Sequence, residues 1–138
     1  MLVAAVCVLL LAACGSSDNG SAAPDMADQD RFLREYVQSL NASDEKRLAR
    51  LLDSHPQGAQ DARARVDAYG GQAWDVLWSR TSEFTGVWRI ELTGTARAED
   101  RPVEVTETVA WEDERWVMAP LPGVAPIPGN VAGTTPPD

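Results

Sequence analysis

The sequence predicts an α+β domain, with three N-terminal helices packed on a curved antiparallel sheet of about four strands. Three observations carry this expectation. Up to Tyr69 the apolar residues recur with a helical period, Gly70-Gly71 then interrupts the chain, and from Trp74 onward apolar and polar residues alternate. A tight polar turn, Glu112-Asp113-Glu114-Arg115, closes the last pair of strands as a hairpin.

Phe32, Leu33, Tyr36, Val37 and Leu40 fall at i, i+1, i+4, i+5 and i+8, one face of a first helix. Asn41-Ala42-Ser43-Asp44 breaks it, and Ser43 or Asp44 can cap the next helix. That helix buries Leu48, Leu51 and Leu52 and ends before Pro56, whose ring steers the preceding residue away from helical geometry. A third helix, from about Ala59, places Ala62, Val66 and Tyr69 on one side and stops at Gly70-Gly71. The strand rows follow. Trp74, Val76 and Trp78 alternate with Asp75 and Ser79, although Leu77 blurs the contrast. Trp88, Ile90 and Leu92 form a second row, Val103, Val105, Val109 and Trp111 a third, and Trp116 with Met118 a fourth.

Ahead of this domain, Leu2 to Ala13 is wholly apolar. A helix that spans a bilayer needs about twenty such residues, so the stretch matches the apolar region of a secretory signal instead. It closes as Leu11-Ala12-Ala13-Cys14 and turns polar at Gly15-Ser16-Ser17, which closely resembles the lipobox of bacterial lipoproteins. The resemblance implies a diacylglyceryl thioether on Cys14, cleavage between Ala13 and Cys14, and an extracytoplasmic domain held to the cell membrane by acyl chains. The implied partner is thus the lipid bilayer. No Lys or Arg precedes Arg31, so the positive segment of such a signal would lie upstream of Met1. An ordinary signal cleaved elsewhere, or an uncleaved anchor, is the competing reading.

Under the lipobox reading residues 1–13 are the signal peptide, 14–28 the lipidated cysteine and a flexible tether, 29–119 the domain, and 120–138 a proline- and glycine-rich tail. A coil of about 14 residues reaches roughly 20 Å. Cys7 leaves with the signal, so no thiol remains for a disulfide, a nucleophile or a metal. The net charge of −9 repels nucleic acid and anionic lipid alike, and no basic stripe offsets it. No nucleic-acid partner and no cofactor are expected.

The stretch "FLREYVQSLNASDEKRLARLL", a third helix and a strand meander together resemble the nuclear transport factor 2-like superfamily over Gln29 to Ala119. That resemblance implies a cone in which the sheet wraps the helices around a pocket. With about four strands, the pocket would be shallow or filled.

Glu107 stands out because it shares the inward row with Val103, Val105, Val109 and Trp111. A carboxylate there must be neutral, paired with an arginine, or lining a wet cavity, unless a bulge or rim position returns it to water. A desolvated carboxyl is also what a general acid or base looks like. Tyr36 lies on the helix where the superfamily's ketosteroid isomerases carry an oxyanion-binding tyrosine, but the base and second acid of that reaction have no match, so helix anchoring is the simpler role. Trp74, Trp88 and Trp111 are candidates for stacking on a ligand, although each falls in an apolar row and reads first as core. His55, the single histidine, reads as a solvated loop residue without metal-ligand spacing. Asp25, Asp28 and Asp30 lack the pattern of a calcium loop, and Asn41-Ala42-Ser43, a glycosylation sequon by pattern, is discounted in a bacterial lipoprotein.

The leading functional expectation is a membrane-anchored lipoprotein whose noncatalytic domain binds a small apolar ligand or a neighbouring envelope protein. The alternatives are an isomerase or dehydratase using Glu107 and Tyr36, and a pure protein-interaction module. Whether the chain forms a homodimer through its sheet is left open.

Overall fold

Asp25 sets the start of the first helix. Its carboxylate accepts a hydrogen bond from the Ala27 N–H at 2.8 Å, satisfying an amide the helix cannot, and α1 then runs Met26–Asn41. The computed structural model describes residues 24–121. Helix α1 therefore begins inside the stretch that composition assigns to the tether, because Met26 and Ala27 favour helix and Asp25 caps them. Asp44 caps α2 (Glu45–Leu51) by accepting from the Arg47 N–H at 2.9 Å, and α3 spans Gly58–Tyr69.

Four strands follow: β1 (Trp74–Phe84), β2 (Val87–Ala96), β3 (Arg101–Glu112) and β4 (Arg115–Met118). They form an antiparallel meander, each pairing with its neighbour in sequence. The expected α+β class, helices first and sheet after, is what the chain adopts. Cys14 and nearly all of the tail lie outside the described residues.

The register aligns the alternating rows on one face. Trp78 sits opposite Leu92 and Leu92 opposite Val105, while Trp88 faces Val109 and Trp111 faces Trp116. The core between this face and the helices includes Leu33 and Leu40 of α1, Leu48 of α2, Ala62 of α3, and Ile90, Leu92 and Val109 of the sheet. Leu77 blurs the pattern because it points away from the helices and is 80% exposed. Gly94 lets β1 and β2 approach closely, since a Cβ there would lie 2.1 Å from the Asp75 carbonyl oxygen.

Two features depart from the expected packing. On α3 the buried face is Gly58, Asp61, Ala62 and Arg65, with Val66 and Tyr69 half-buried; paired charges, not apolar residues, centre it. Asn41 binds β1: its side-chain oxygen accepts from the Trp74 N–H at 2.7 Å and its amide donates to the Trp74 carbonyl at 3.0 Å. The sequon asparagine is thus a structural tie.

The β3–β4 turn places Asp113 at φ 48° and Glu114 at φ 60°, the left-handed pair of a type I′ hairpin. Left-handed backbone costs a side-chain-bearing residue about 1–2 kcal/mol, partly offset by the freedom glycine adds to the unfolded chain. Glu114→Gly should therefore raise stability by roughly 0.5–1 kcal/mol, measured by urea denaturation. A lower midpoint would contradict the strained-turn account.

Candidate functional site

The structure brings the two leading sequence candidates together. Tyr36 on α1 and Glu107 on β3 meet beneath α3, and the Tyr36 hydroxyl donates to Glu107 Oε1 at 2.5 Å. Glu107 is 4% exposed and Tyr36 fully buried. Of the settings that the sequence left open for Glu107, the one adopted is pairing with an arginine.

That arginine is Arg65 of α3, fully buried. Its Nε donates to Asp61 Oδ1 at 2.8 Å, one helical turn back. One terminal nitrogen donates to Glu107 Oε1 at 2.5 Å and to the Tyr36 hydroxyl oxygen at 3.0 Å. The other reaches Asp61 Oδ2 at 3.5 Å and the Ala119 carbonyl at 3.0 Å. A guanidinium has five N–H groups, and each is spoken for. Its carbon also lies 5.6 Å from the Tyr36 ring centroid, a cation–π distance. Asp61 accepts in addition from the Leu121 N–H at 3.3 Å, so the charged pair holds the chain beyond β4 against α3.

Burial drives the Tyr36 phenol well above the usual tyrosine range, and the Glu107 negative charge adds to this, outweighing Arg65. Burial also works against the Arg65 charge, but the Tyr36 oxygen and the Glu107 carboxylate outweigh it and hold the guanidinium protonated above the ordinary arginine value. All of the Arg65 donors are used within the cluster, while Glu107 Oε2 accepts from no described residue. The cluster presents no free donor to an incoming substrate.

The tryptophans divide. Trp74 is buried against Tyr69, ring centroids 5.1 Å apart, with its indole N–H on Gln72. Trp88 and Trp111, half-buried, stand edge-on to Trp116 at 4.9 and 5.1 Å. Trp74 pairs with Ala96 at the far end of β2 from Trp88, so the three do not form one stacking platform. A groove of about 350 Å³ runs past Tyr69, Gln72, Trp74, Arg101 and the first residues of β3. His55 is not solvated: its side chain is 11% exposed, and Nε2 lies 3.5 Å from Asp61 Oδ2. Gln29 is wholly buried, and its carboxamide has no hydrogen-bond partner among the described residues.

Sequence reasoning missed Arg65 and Asp61. The signal was present as an Asp–Arg pair at i, i+4 on a helix that had to pack over an inward Glu107. Among the described residues no group of three or more His, Cys, Asp or Glu side chains converges as metal ligands do, and no helix is long and apolar enough to cross a membrane. No protein-family model, curated protein or solved structure matches the chain.

Two outcomes are expected. Arg65→Met strands two buried carboxylates and should cost about 3–5 kcal/mol in urea denaturation; a loss below about 1 kcal/mol would remove Arg65 as the hub. The second concerns alkaline pH. The unfolded chain releases the Tyr36 proton near pH 10.0, whereas the fold holds it to higher pH. This contribution to stability is complete below pH 10 and is lost as pH rises through the folded value. In a Tyr69→Phe background, phenolate absorbance should appear together with loss of the fold, not ahead of it.

Proposed function

We propose that the chain is a membrane-anchored extracytoplasmic lipoprotein whose domain binds a small ligand or a neighbouring protein without catalysing a reaction. The observation that carries the anchor is the apolar run closing in Leu11-Ala12-Ala13-Cys14 and giving way to a polar stretch. Two acyl chains, at about 0.8 kcal/mol for each buried methylene, hold such a domain at a bilayer without help from its acidic surface. The likeness to the nuclear transport factor 2-like superfamily is part of the same proposal, supported by the order of helices and strands.

The noncatalytic part rests on the hub. A general acid or base must reach a substrate proton within about 3 Å, and the Glu107 oxygen that faces Tyr36 already accepts from both Tyr36 and Arg65 in a buried site. One observation favours the enzyme alternative, the 2.5 Å contact between a phenol and a carboxylate. The full use of the Arg65 donors weighs against it. Glu107→Gln separates the two readings: a binding domain retains its function with altered stability, whereas an isomerase or dehydratase loses turnover.

The anchor is tested at Cys14. The mature protein should appear in the membrane fraction with a lipid-modified cysteine as its first residue, read by mass spectrometry, and Cys14→Ala should move it to the soluble fraction. An unmodified thiol at Cys14, or residues before it still attached, would overturn the anchored reading.

A further inference from the structure

Strand β1 is an edge strand, with β2 on one side and, among the described residues, no strand on the other. Asn41 identifies which backbone groups face the open side. By bonding both the N–H and the C=O of Trp74, it makes the two contacts that a residue of a neighbouring strand would make. The preceding residue points the other way, its Ala73 carbonyl accepting from the Arg97 N–H at 3.2 Å. Backbone direction alternates along a strand, and the pairing of β1 with β2 is unbroken from Trp74 to Ser82. Val76, Trp78 and Arg80 therefore turn their N–H and C=O groups outward like Trp74. No other residue among those described takes these groups up.

A groove of about 450 Å³ lies beside them, between β1 and α1, lined by Asp30, Arg34, Val76, Leu77, Trp78 and Arg80. Its floor is apolar where Val76 and Trp78 are half-buried. The Asp30 carboxylate accepts from the Trp78 indole N–H at 3.0 Å and from Arg80, which occupies its charge. Arg34, exposed on α1, makes no salt bridge within 4 Å among the described residues, although its charge helps hold Asp30, one turn back, in the ionised form; Arg31 one turn away holds Asp28 at 2.7 Å. Two cations against one carboxylate leave the groove locally positive on a chain of net charge −9.

We propose that this groove accepts an extended segment of a partner protein, added as a further strand to β1, with apolar side chains flanking a carboxylate that reaches Arg34. Backbone hydrogen bonds to Val76, Trp78 and Arg80 supply affinity, and the side-chain pattern supplies specificity. A second copy of this chain fits poorly. Its own β1 would bring Val76, Trp78 and Arg80 into the groove again, adding a cation where a carboxylate is needed. The proposal rests on the reading that the domain binds a neighbouring protein, and it is independent of the acyl anchor.

The test is amide hydrogen exchange by NMR on the full chain in mild detergent, with the peptide acetyl-Thr-Val-Thr-Glu-Thr-Val-Thr-amide as probe. In the free chain the amides of Val76, Trp78 and Arg80 should exchange fast, while those of Leu77 and Ser79, turned toward β2, are protected. Saturating peptide should slow the three outward amides at least about tenfold. Arg34→Glu, or Lys for Glu in the peptide, should weaken binding by about tenfold, and the two changes together should restore it. Protection of Leu77 and Ser79 reports that the variant is folded. The proposal is overturned if the peptide leaves the three amides unchanged, or if a version N-methylated at alternate amides protects them equally. Protection that grows with protein concentration and needs no peptide gives the edge to a second copy and overturns it as well. A chain lipidated at Cys14 whose edge takes no peptide loses this inference and keeps the anchor; an edge that binds on a chain without lipid does the reverse.

Discussion

The fold depends on how one buried cation is satisfied. Arg65 is the largest fully buried side chain, and its guanidinium joins α3 to itself through Asp61, to α1 through Tyr36, to β3 through Glu107, and to the chain after β4 through the Ala119 carbonyl. Taking an ion out of water costs several kcal/mol, and the attraction of a partner offsets this only when the geometry leaves no hydrogen bond unmade. The guanidinium meets that condition with all five N–H groups used, and it constrains the helix and strand positions together. Moving α1 away from β3 would break the phenol–carboxylate contact, and tilting α3 would strand Asp61 or Glu107.

How far the sequence revealed this follows from the chemistry of each residue. Apolar periodicity located every helix and strand, because burial of Leu33, Leu40, Ile90 and Leu92 is a face-by-face property of the chain. The inward position of Glu107 was legible for the same reason. Arg65 was not, because arginine is normally a surface residue, and a helical row through Ala62, Val66 and Tyr69 looked like the better core face. Only the demand of Glu107 for a cation could have drawn attention to it. His55 was misplaced on similar grounds. A loop histidine reads as solvated until Asp61 is known to lie beneath it.

Centre and edge of the sheet do different work. In the centre, every donor of the Arg65 guanidinium has a partner, and such regions open only with the whole fold. At the β1 edge no described residue takes up the backbone groups of Val76, Trp78 and Arg80. Proteins commonly guard such an edge with an inward-pointing charge, and Arg80 is one, held by Asp30. The guard is local. It leaves the outward backbone groups accessible and the Arg34 guanidinium beside them without a salt bridge among the described residues, so recognition by strand addition needs no rearrangement of the core.

The path of α1 relates this edge to the opposite edge of the sheet. At its N-terminus the Asp25 carbonyl accepts both the Gln29 N–H at 3.0 Å and the Trp116 indole N–H at 3.2 Å, fixing the start of the helix against β4. At its C-terminus Asn41 grips Trp74 of β1. Helix α1 thus meets β4 at its start and β1 from Asp30 to its end, with the groove opening between it and β1.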